Sequence, residues 1–438
     1  MTAVDDSLPP LLQIERAVQA RAKDIALDMS GPEGEAALRA LIDDEVDRWE
    51  LDHKRGLRPQ PLASPELIAE RAFRNLARYG PLTPLLADDD VWEIMINAPD
   101  QIFVKRHCGP SGYHHEVFHD DEHVTRILTK ILDDASSSHR KLDPSEGLQD
   151  AQLDNGARLH IVHGDLSRGG HTMVNIRKFT GVPFRSLHEL VERDTLSDHV
   201  ARFLATAVRA GCSIVFAGAP GSGKTTLLSC CAAELDPSLR VVIAEEVFEA
   251  DVPLPNVASM QTRAARSDRP EIDLRRLVAG FLRMAPDVAI VGEVRDREAL
   301  PLLLTLSSGV KGFTTIHAGS ARQALSRLRF IAQLSDAASE LPMSALNALV
   351  TEAVDLVVHA ARGPDGPRVM EVVSVEDLAG AADATPFTVT ELYSRRGYDH
   401  PLEWTGQVPV RVARLFSAIG VDVVEVLHEA SSGEWRQF

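Results

Sequence analysis

Between Leu11 and Met29, and again between Glu35 and Asp52, apolar residues recur at spacings of three and four, with acids and arginines between them. That period predicts two amphipathic helices. A loop rich in Pro and Arg, Arg55 to Pro65, leads to a third helix, Pro65 to Arg78, with Ser64 and Pro65 as N-cap and first helical residue. Gly80-Pro81 ends the unit. From Leu82 to Phe179 the pattern mixes periods. VWEIMIN and QIFVKR alternate apolar and polar residues on either side of Ala98-Pro99-Asp100, a turn signal. The helical run VTRILTKILDD follows, and ARLHIVH and HTMVNIRKF read as two more strands. RKFTGVPFRSLHELVERD reads as a linker with a short helix.

After Ser197 the chain becomes strand, helix, strand, helix. CSIVFAG reads as a buried strand, with RVVIAEE, DVAIVGE and GFTTIH as later strands. That alternating order implies a parallel sheet wrapped by helices. Near residue 355 the texture changes again: DLVVHAAR and PRVMEVVSV flank Gly363-Pro364-Asp365-Gly366 and predict a hairpin. The expected organisation is a helical extension over 1–80, an α+β domain over 81–185, a linker over 186–198 and an α/β domain over 199–438, with a C-terminal subdomain from about 355.

Composition narrows the function. With 46 basic and 64 acidic residues the formal charge is −18. That argues against a chain whose main task is gripping nucleic acid through phosphates, and no direct nucleic-acid partner is expected. The four cysteines, Cys108, Cys212, Cys230 and Cys231, form no CxxC pair and read as reduced thiols. The opening MTAVDDSLPPLLQ has neither a basic n-region nor a long apolar core, so no leader is expected. No run of about 18 apolar residues predicts a membrane span.

The chemistry is fixed by the strand CSIVFAG, which runs into Gly218, Ala219, Pro220, Gly221, Ser222, Gly223, Lys224 and Thr225 and then, from Thr226, the helix TTLLSCCAAEL. This is GxxxxGK[ST] between a strand and a helix. Glycines let backbone N–H groups curl around phosphate oxygens, and the helix N-terminus adds partial positive charge. Lys224 is expected to reach the β- and γ-phosphates of a nucleoside triphosphate, and Thr225 to hold Mg²⁺. In an open parallel sheet, ligands sit at the carboxyl ends of the strands. There RVVIAEEVFEAD offers Glu245, Glu246 and Glu249, either a solvated acidic loop or the source of a carboxylate that activates water. PDVAIVGEVRD delivers Glu293 for the Mg²⁺ side, with Arg295 as its partner or as a phosphate contact. FTTIH ends on His317, whose ring N–H can report a γ-phosphate.

These motifs resemble those of the secretion ATPases of type II secretion, type IV pili and type IV secretion, and most nearly the tight-adherence (Flp) pilus branch. The series GAPGSGKTT, AEEVFE, LRMAPDVAIVGEVRDREAL and GFTTIHAGSARQALSRL appears in order, preceded by YGPLTPLLADDDVWEIMINAPDQIFV, AQLDNGARLHIV and MVNIRKF. The resemblance covers roughly residues 75 to 360. It implies a RecA-like α/β P-loop NTPase domain behind an α+β, PAS-like domain. It implies that Glu249 activates water, that Glu293 is the Walker B acid, that His317 is the His-box residue, and that Glu246 joins Thr225 on the Mg²⁺ side. Arg158 and Arg177 align with arginines offered to the phosphates. A strand-borne arginine from a closing domain suits the neutralisation of developing charge. The resemblance further implies a homo-hexamer, cytoplasmic and peripheral to the inner membrane, acting on a platform protein there. Two positions depart from the family: Glu245-Glu246 where Glu-Asp is usual, and Gly309-Val310-Lys311-Gly312 where Gly-His-Glu-Gly is frequent.

Other patterns read as structural. His114, His115, His119 and His123 have a metal-like density, but the run straddles a strand and a helix start, with Asp120 as cap. Arg275, Arg276 and Arg283 lie on a predicted amphipathic helix whose apolar side covers the sheet, and RSDRP precedes it. Three functions fit the whole sequence: an ATP-driven secretion or pilus motor, a conjugation or DNA-transfer ATPase of the same fold, and a nucleotide-gated scaffold that scarcely turns over.

Overall fold

A computed structural model of the chain describes residues 8–28, 31–107, 109–135, 141–178, 184–263, 270–335, 341–377 and 387–428. It divides into two units, Met1–Thr180 and Gly181–Phe438. The first begins with helices α1 (Pro10–Asp24), α2 (Gly31–Lys54) and α3 (Pro65–Ala77). Leu11, Ile14 and Val18 of α1 meet Leu38, Ile42, Val46 and Trp49 of α2 and Phe73 of α3. Those spacings of three and four form one stripe per helix, and each buried side chain contributes roughly 1.5–3 kcal/mol. Ser64 precedes α3 as expected, but its side chain makes no capping bond. Pro65 alone, with its preset φ and no N–H to satisfy, marks the start.

The unit continues with α4 (Leu82–Ala87), β1 (Val91–Ala98), β2 (Gln101–Arg106), β3 (Gly112–Tyr113), α5 (Asp121–Asp134), β4 (Leu148–Gln152), β5 (Arg158–Val162) and β6 (Met173–Arg177). The strands form one antiparallel sheet in the order β3-β2-β1-β6-β5-β4. Val124, Ile127, Leu128 and Ile131 of α5 pack with Ile94, Ile96, Leu159, Ile161 and Ile176. Asp120 accepts the His123 N–H and caps α5, as the sequence suggests.

A polar cluster links the helices to the loop between β3 and α5. The buried Glu15 carboxylate accepts from Asn75 Nδ2 at 2.7 Å and lies 2.9 Å from His119 Nε2. Arg74 Nη2 donates to Glu116 at 2.9 Å. His119 and His123 stack with ring centres 4.8 Å apart. Two of the four clustered histidines thus belong to packing, and among the described residues no group of three or more His, Cys, Asp or Glu is arranged to hold a metal.

The second unit comprises α6 (Leu187–Glu192), α7 (Asp198–Arg209), β7 (Ile214–Gly218), α8 (Lys224–Ala232), β8 (Val241–Glu245), β9 (Val257–Gln261), α9 (Leu274–Val278), β10 (Val288–Val294), α10 (Ala299–Ser307), β11 (Lys311–Ile316), α11 (Ala321–Gln333), α12 (Met343–Ala353), β12 (Leu356–Gly363), β13 (Gly366–Val375), β14 (Val389–Ser394), β15 (Glu403–Trp404), α13 (Val410–Ala418) and α14 (Val423–His428). One nine-stranded sheet runs β15-β14-β13-β12-β7-β11-β10-β8-β9. From β12 to β9 every pair is parallel. The parallel sheet of the sequence reading is therefore present, and the predicted hairpin β12–β13 extends it with antiparallel strands through β15.

Both faces are covered, which explains the unbroken apolar strands. Ile214 and Phe216 of β7 face a layer that includes α7, α8 and α13, whereas Val215 and Ala217 face one built from α10, α11 and α12. The helix predicted across 272–283 is divided. α9 ends at Val278, and a 3₁₀ turn over Phe281–Met284 follows, ending at Ala285 with φ 49°. Gly280 interrupts the helix, and Pro286 disfavours the helical conformation at the residue before it. Arg275 and Arg276 are on α9 and Arg283 is on the turn; most of RSDRP lies outside the described residues. Cys212, Cys230 and Cys231 are buried free thiols, and Cys108 lies outside the described residues.

Candidate active site

Because β7, β8, β10 and β11 are parallel, their carboxyl ends fall on one edge. β7 ends at Gly218, and α8 begins at Lys224, so residues 219–223 form the loop between a buried strand and a helix N-terminus. Thr225 and Thr226 occupy the first turn, both half-buried. The Lys224 ammonium is folded back on the loop and donates to the Ala219 carbonyl at 3.0 Å. Ser222 is fully buried, and its Oγ has no hydrogen-bond partner. A loop of this form, with a curled-back cation, an unsatisfied hydroxyl and a helix N-terminus, suits the phosphates of a nucleotide.

β11 lies between β7 and β10, pairing Ile316 with Ala217 on one side and with Val294 on the other. The residue after β11, His317, is thereby carried between Lys224 and Glu293. His317 Nδ1 is 3.2 Å from Lys224 Nζ, and His317 Nε2 is 2.7 Å from Glu293 Oε1. An ammonium has only protons to offer, so it requires Nδ1 as acceptor; the ring proton then sits on Nε2, whose contact with Glu293 is a close ion-pair distance rather than an aligned hydrogen bond. The Gly218 carbonyl, 3.2 Å from the same Nδ1, would favour the other tautomer, but two charged contacts outweigh one neutral one.

Arg295 extends the series. Its Nε is 2.7 Å from Glu293 Oε1, its Nη2 donates to Glu293 Oε2 at 2.8 Å, and its Nη1 donates to Glu246 at 3.1 Å. Burial alone would raise the Glu293 carboxyl. Hydrogen bonds from His317 and Arg295 overcome that and draw it down to about 2. Arg295 is in turn held more firmly protonated, first by its bond to Glu293, then by the charges of Glu293, Glu246 and Glu249.

Glu245 has a different task. Its buried carboxylate accepts the N–H groups of Glu249 and Ala250 at 3.0 and 2.9 Å. It therefore shapes the loop that carries Glu246 and Glu249. Lys224, His317, Glu293 and Glu246 thus form a run of charged contacts bridged by Arg295, with Glu249 near enough to act on Arg295. Arg158 and Arg177, in the first unit, stand opposite each other as register partners on β5 and β6.

The departure at Val310-Lys311 lies at the other end of β11 from His317. Lys311 Nζ is 3.9 Å from the buried Asp355, which also accepts from the Ser213 N–H at 2.8 Å and pairs with Arg411 at 2.9 Å. Three residues that sequence reasoning passed over also shape this edge. Glu298 accepts the backbone N–H groups of Arg295 and Asp296. Glu371 accepts the Ala321 N–H that begins α11, four residues past His317. Arg362 donates to the Gly221 carbonyl. Glu298 alone left a signal, as an acid just before an apolar helix; the other two depend on strand order.

The model of the family described as Type II/IV secretion system protein matches residues 75–374, and the chain belongs to that family. The type IV secretion system protein PtlH of Bordetella pertussis is 31% identical over 307 residues, covering 64% of this chain and 88% of its own. The conjugal transfer protein TrbB of Rhizobium radiobacter is 35% identical over 231 residues, covering 49% of this chain and 68% of its own. Among solved structures, the VirB11 ATPase of the Brucella suis type IV secretion system is similar at 26% identity, covering 67% of this chain and 94% of that one, with a TM-score of 0.36.

Proposed function

We propose that this chain is a Mg²⁺-dependent, ATP-hydrolysing motor that works as a ring hexamer in pilus assembly or protein secretion, within the tight-adherence branch of its family. The observation that carries the reading is the run of contacts from Lys224 through His317 to Glu293 and Arg295. A protein with no phosphoryl chemistry has little reason to bring a P-loop lysine, an imidazole and two acids to one edge.

Residues 218–226 would hold the triphosphate, Thr225 and Glu246 the Mg²⁺, and Arg158 and Arg177 would add positive charge from the first unit. Bound Mg²⁺–ATP supplies the scissile phosphoanhydride and a cation that spreads its charge. Glu249 orients and deprotonates the attacking water, held for that by Glu245. Lys224 leaves Ala219 and His317 for the phosphates. His317 keeps its protonated Nε2 beside Glu293, so a change at Lys224 is passed along the edge to Arg295 and Glu246. The chemistry is positioning and electrostatics.

Among the described residues no helix is long and apolar enough to cross a membrane. We place the motor in the cytoplasm, recruited to a platform protein of the inner membrane. A second reading, an ATPase of a conjugal-transfer machine, is favoured by the relative TrbB. The formal charge of −18 directs that role to protein contacts rather than DNA.

The test is steady-state ATPase activity of the purified chain with Mg²⁺, wild type beside Glu249→Gln, with oligomer mass measured in the same buffer. Turnover by a hexamer that vanishes in the variant is expected. Binding of ATP without turnover by the wild type would sink the autonomous motor.

A further inference from the structure

The β12–β13 hairpin lies against the phosphate loop at three points. Ala360 is the register partner of Gly218, and a Cβ on Gly218 would stand 2.3 Å from the Ala360 carbonyl oxygen. Pro367 Cβ is 3.1 Å from the place a Cβ on Gly223 would take. Between them Arg362 Nη1 donates to the Gly221 carbonyl at 3.2 Å. The glycines at 218 and 223 therefore make room for the hairpin, in addition to any room they make for phosphate.

A loop that binds phosphate through N–H groups must turn its carbonyls outward. An outward carbonyl in solvent leaves its peptide free to flip, and each flip withdraws an N–H from the anion. A guanidinium donating to that carbonyl resists the flip. Arg362 is presented from a restrained element. The Tyr398 hydroxyl donates to the Gly366 carbonyl at the hairpin tip at 2.6 Å, and the Arg368 guanidinium lies 4.5 Å from the centre of the Tyr398 ring.

We infer that Arg362 is a positioning residue of the nucleotide site: it fixes the Gly221 peptide so that the loop meets phosphate already formed. This rests on the reading of residues 218–226 as an ATP site. Preorganisation of this kind raises affinity for any ligand that uses the loop, so ATP and ADP are affected alike. Because the bond to the Gly221 carbonyl runs through a single nitrogen, a lysine there retains the function.

The experiment is equilibrium titration of the full chain with a fluorescent ATP analogue and with its ADP counterpart, in wild type, Lys224→Ala, Arg362→Ala and Arg362→Lys. Nucleotide-free melting temperatures are recorded alongside. Arg362→Ala is expected to weaken both nucleotides about five- to tenfold, as loss of one charge-assisted bond implies. Its nucleotide-free melting temperature is expected to stay at the wild-type value, and Arg362→Lys to recover most of the affinity. Wild-type binding with unchanged affinity in Arg362→Ala overturns the inference alone. So does a loss that follows a lowered melting temperature, which marks a merely structural residue. No binding by wild type, or binding indifferent to Lys224→Ala, overturns the ATP-site reading and this inference with it.

Discussion

His317 Nε2 stands 2.7 Å from Glu293 Oε1, and both oxygens of that carboxylate are also engaged by Arg295. Glu293 thus has two cationic or proton-bearing neighbours before any metal arrives. Glu293→Gln preserves the shape and removes the charge. ATP turnover is expected to fall by about 10²–10³, the usual loss when one preorganised electrostatic group is removed. Turnover within threefold of wild type would mean that Glu293 only anchors Arg295.

A second expectation concerns the helix that leads towards the phosphate loop. Phe203 of α7 is fully buried, with ring centres 5.7 Å from Tyr393 and 5.5 Å from Phe416. It joins α7 to β14 and α13. Phe203→Ala is expected to cost about 3–5 kcal/mol through lost transfer energy and the cavity left behind. Urea unfolding followed by the second unit's signal checks it, and a cost below about 1 kcal/mol would show that the three rings collapse around the hole.

The first unit carries a pH dependence. His123 is 3% exposed, and burial, helped by the charges of Arg126 and His119, lowers its pKa from 6.5 to about 3. The unfolded chain therefore takes up a proton as pH falls through 6.5, while the folded chain does not until about 3. Stability is lost across that window and is unaffected above it. Between pH 7 and pH 5 the loss is about 2 kcal/mol. Urea midpoints of the first unit should fall accordingly, and His123→Leu should flatten the slope. Equal slopes in both proteins would assign the effect to other groups.

Thiol chemistry offers a separate check. Burial pushes the Cys230 thiol up to about 12 and raises Cys212 and Cys231 as well. Since the thiolate is the nucleophile, a maleimide at pH 8 is expected to leave all three unmodified in the native protein and to reach them in denaturant. Peptide mass spectrometry resolves the sites. Labelling of Cys230 in the native state would show that the Phe184 carbonyl, which its Sγ touches at 3.4 Å, moves away readily.

What could be read from the sequence was whatever is local. The phosphate loop announces itself because its function needs a strand, a glycine turn and a helix in succession. His317 was legible as a strand end for the same reason. Its place between Lys224 and Glu293 required the order β7-β11-β10, which no single stretch encodes. Arg362 was invisible: it lies 141 residues from Gly221, and only the pairing of β12 with β7 brings it there. The run from residue 272 to 283 misled because its apolar spacing is helical throughout, while Gly280 and Pro286 break the backbone beneath it. Glu245 looked like one more loop acid until two backbone N–H groups were found on its carboxylate.

The polar cluster around Glu15 bears on how this protein may be divided. The family's shared span begins at Asn75, the residue whose amide is buried against Glu15, and ends at Ser374, inside β13. Two residues later, Glu376 accepts the N–H groups of Val410 and Arg411 at the start of α13. A fragment trimmed to the borders of that match would leave an amide and an imidazole facing a hole at one end. At the other it would turn β13 into a naked rim, the kind of edge along which chains stick to one another. The span matched by the family model and a piece that keeps these contacts are therefore different objects, and gene fragments should be drawn to the second.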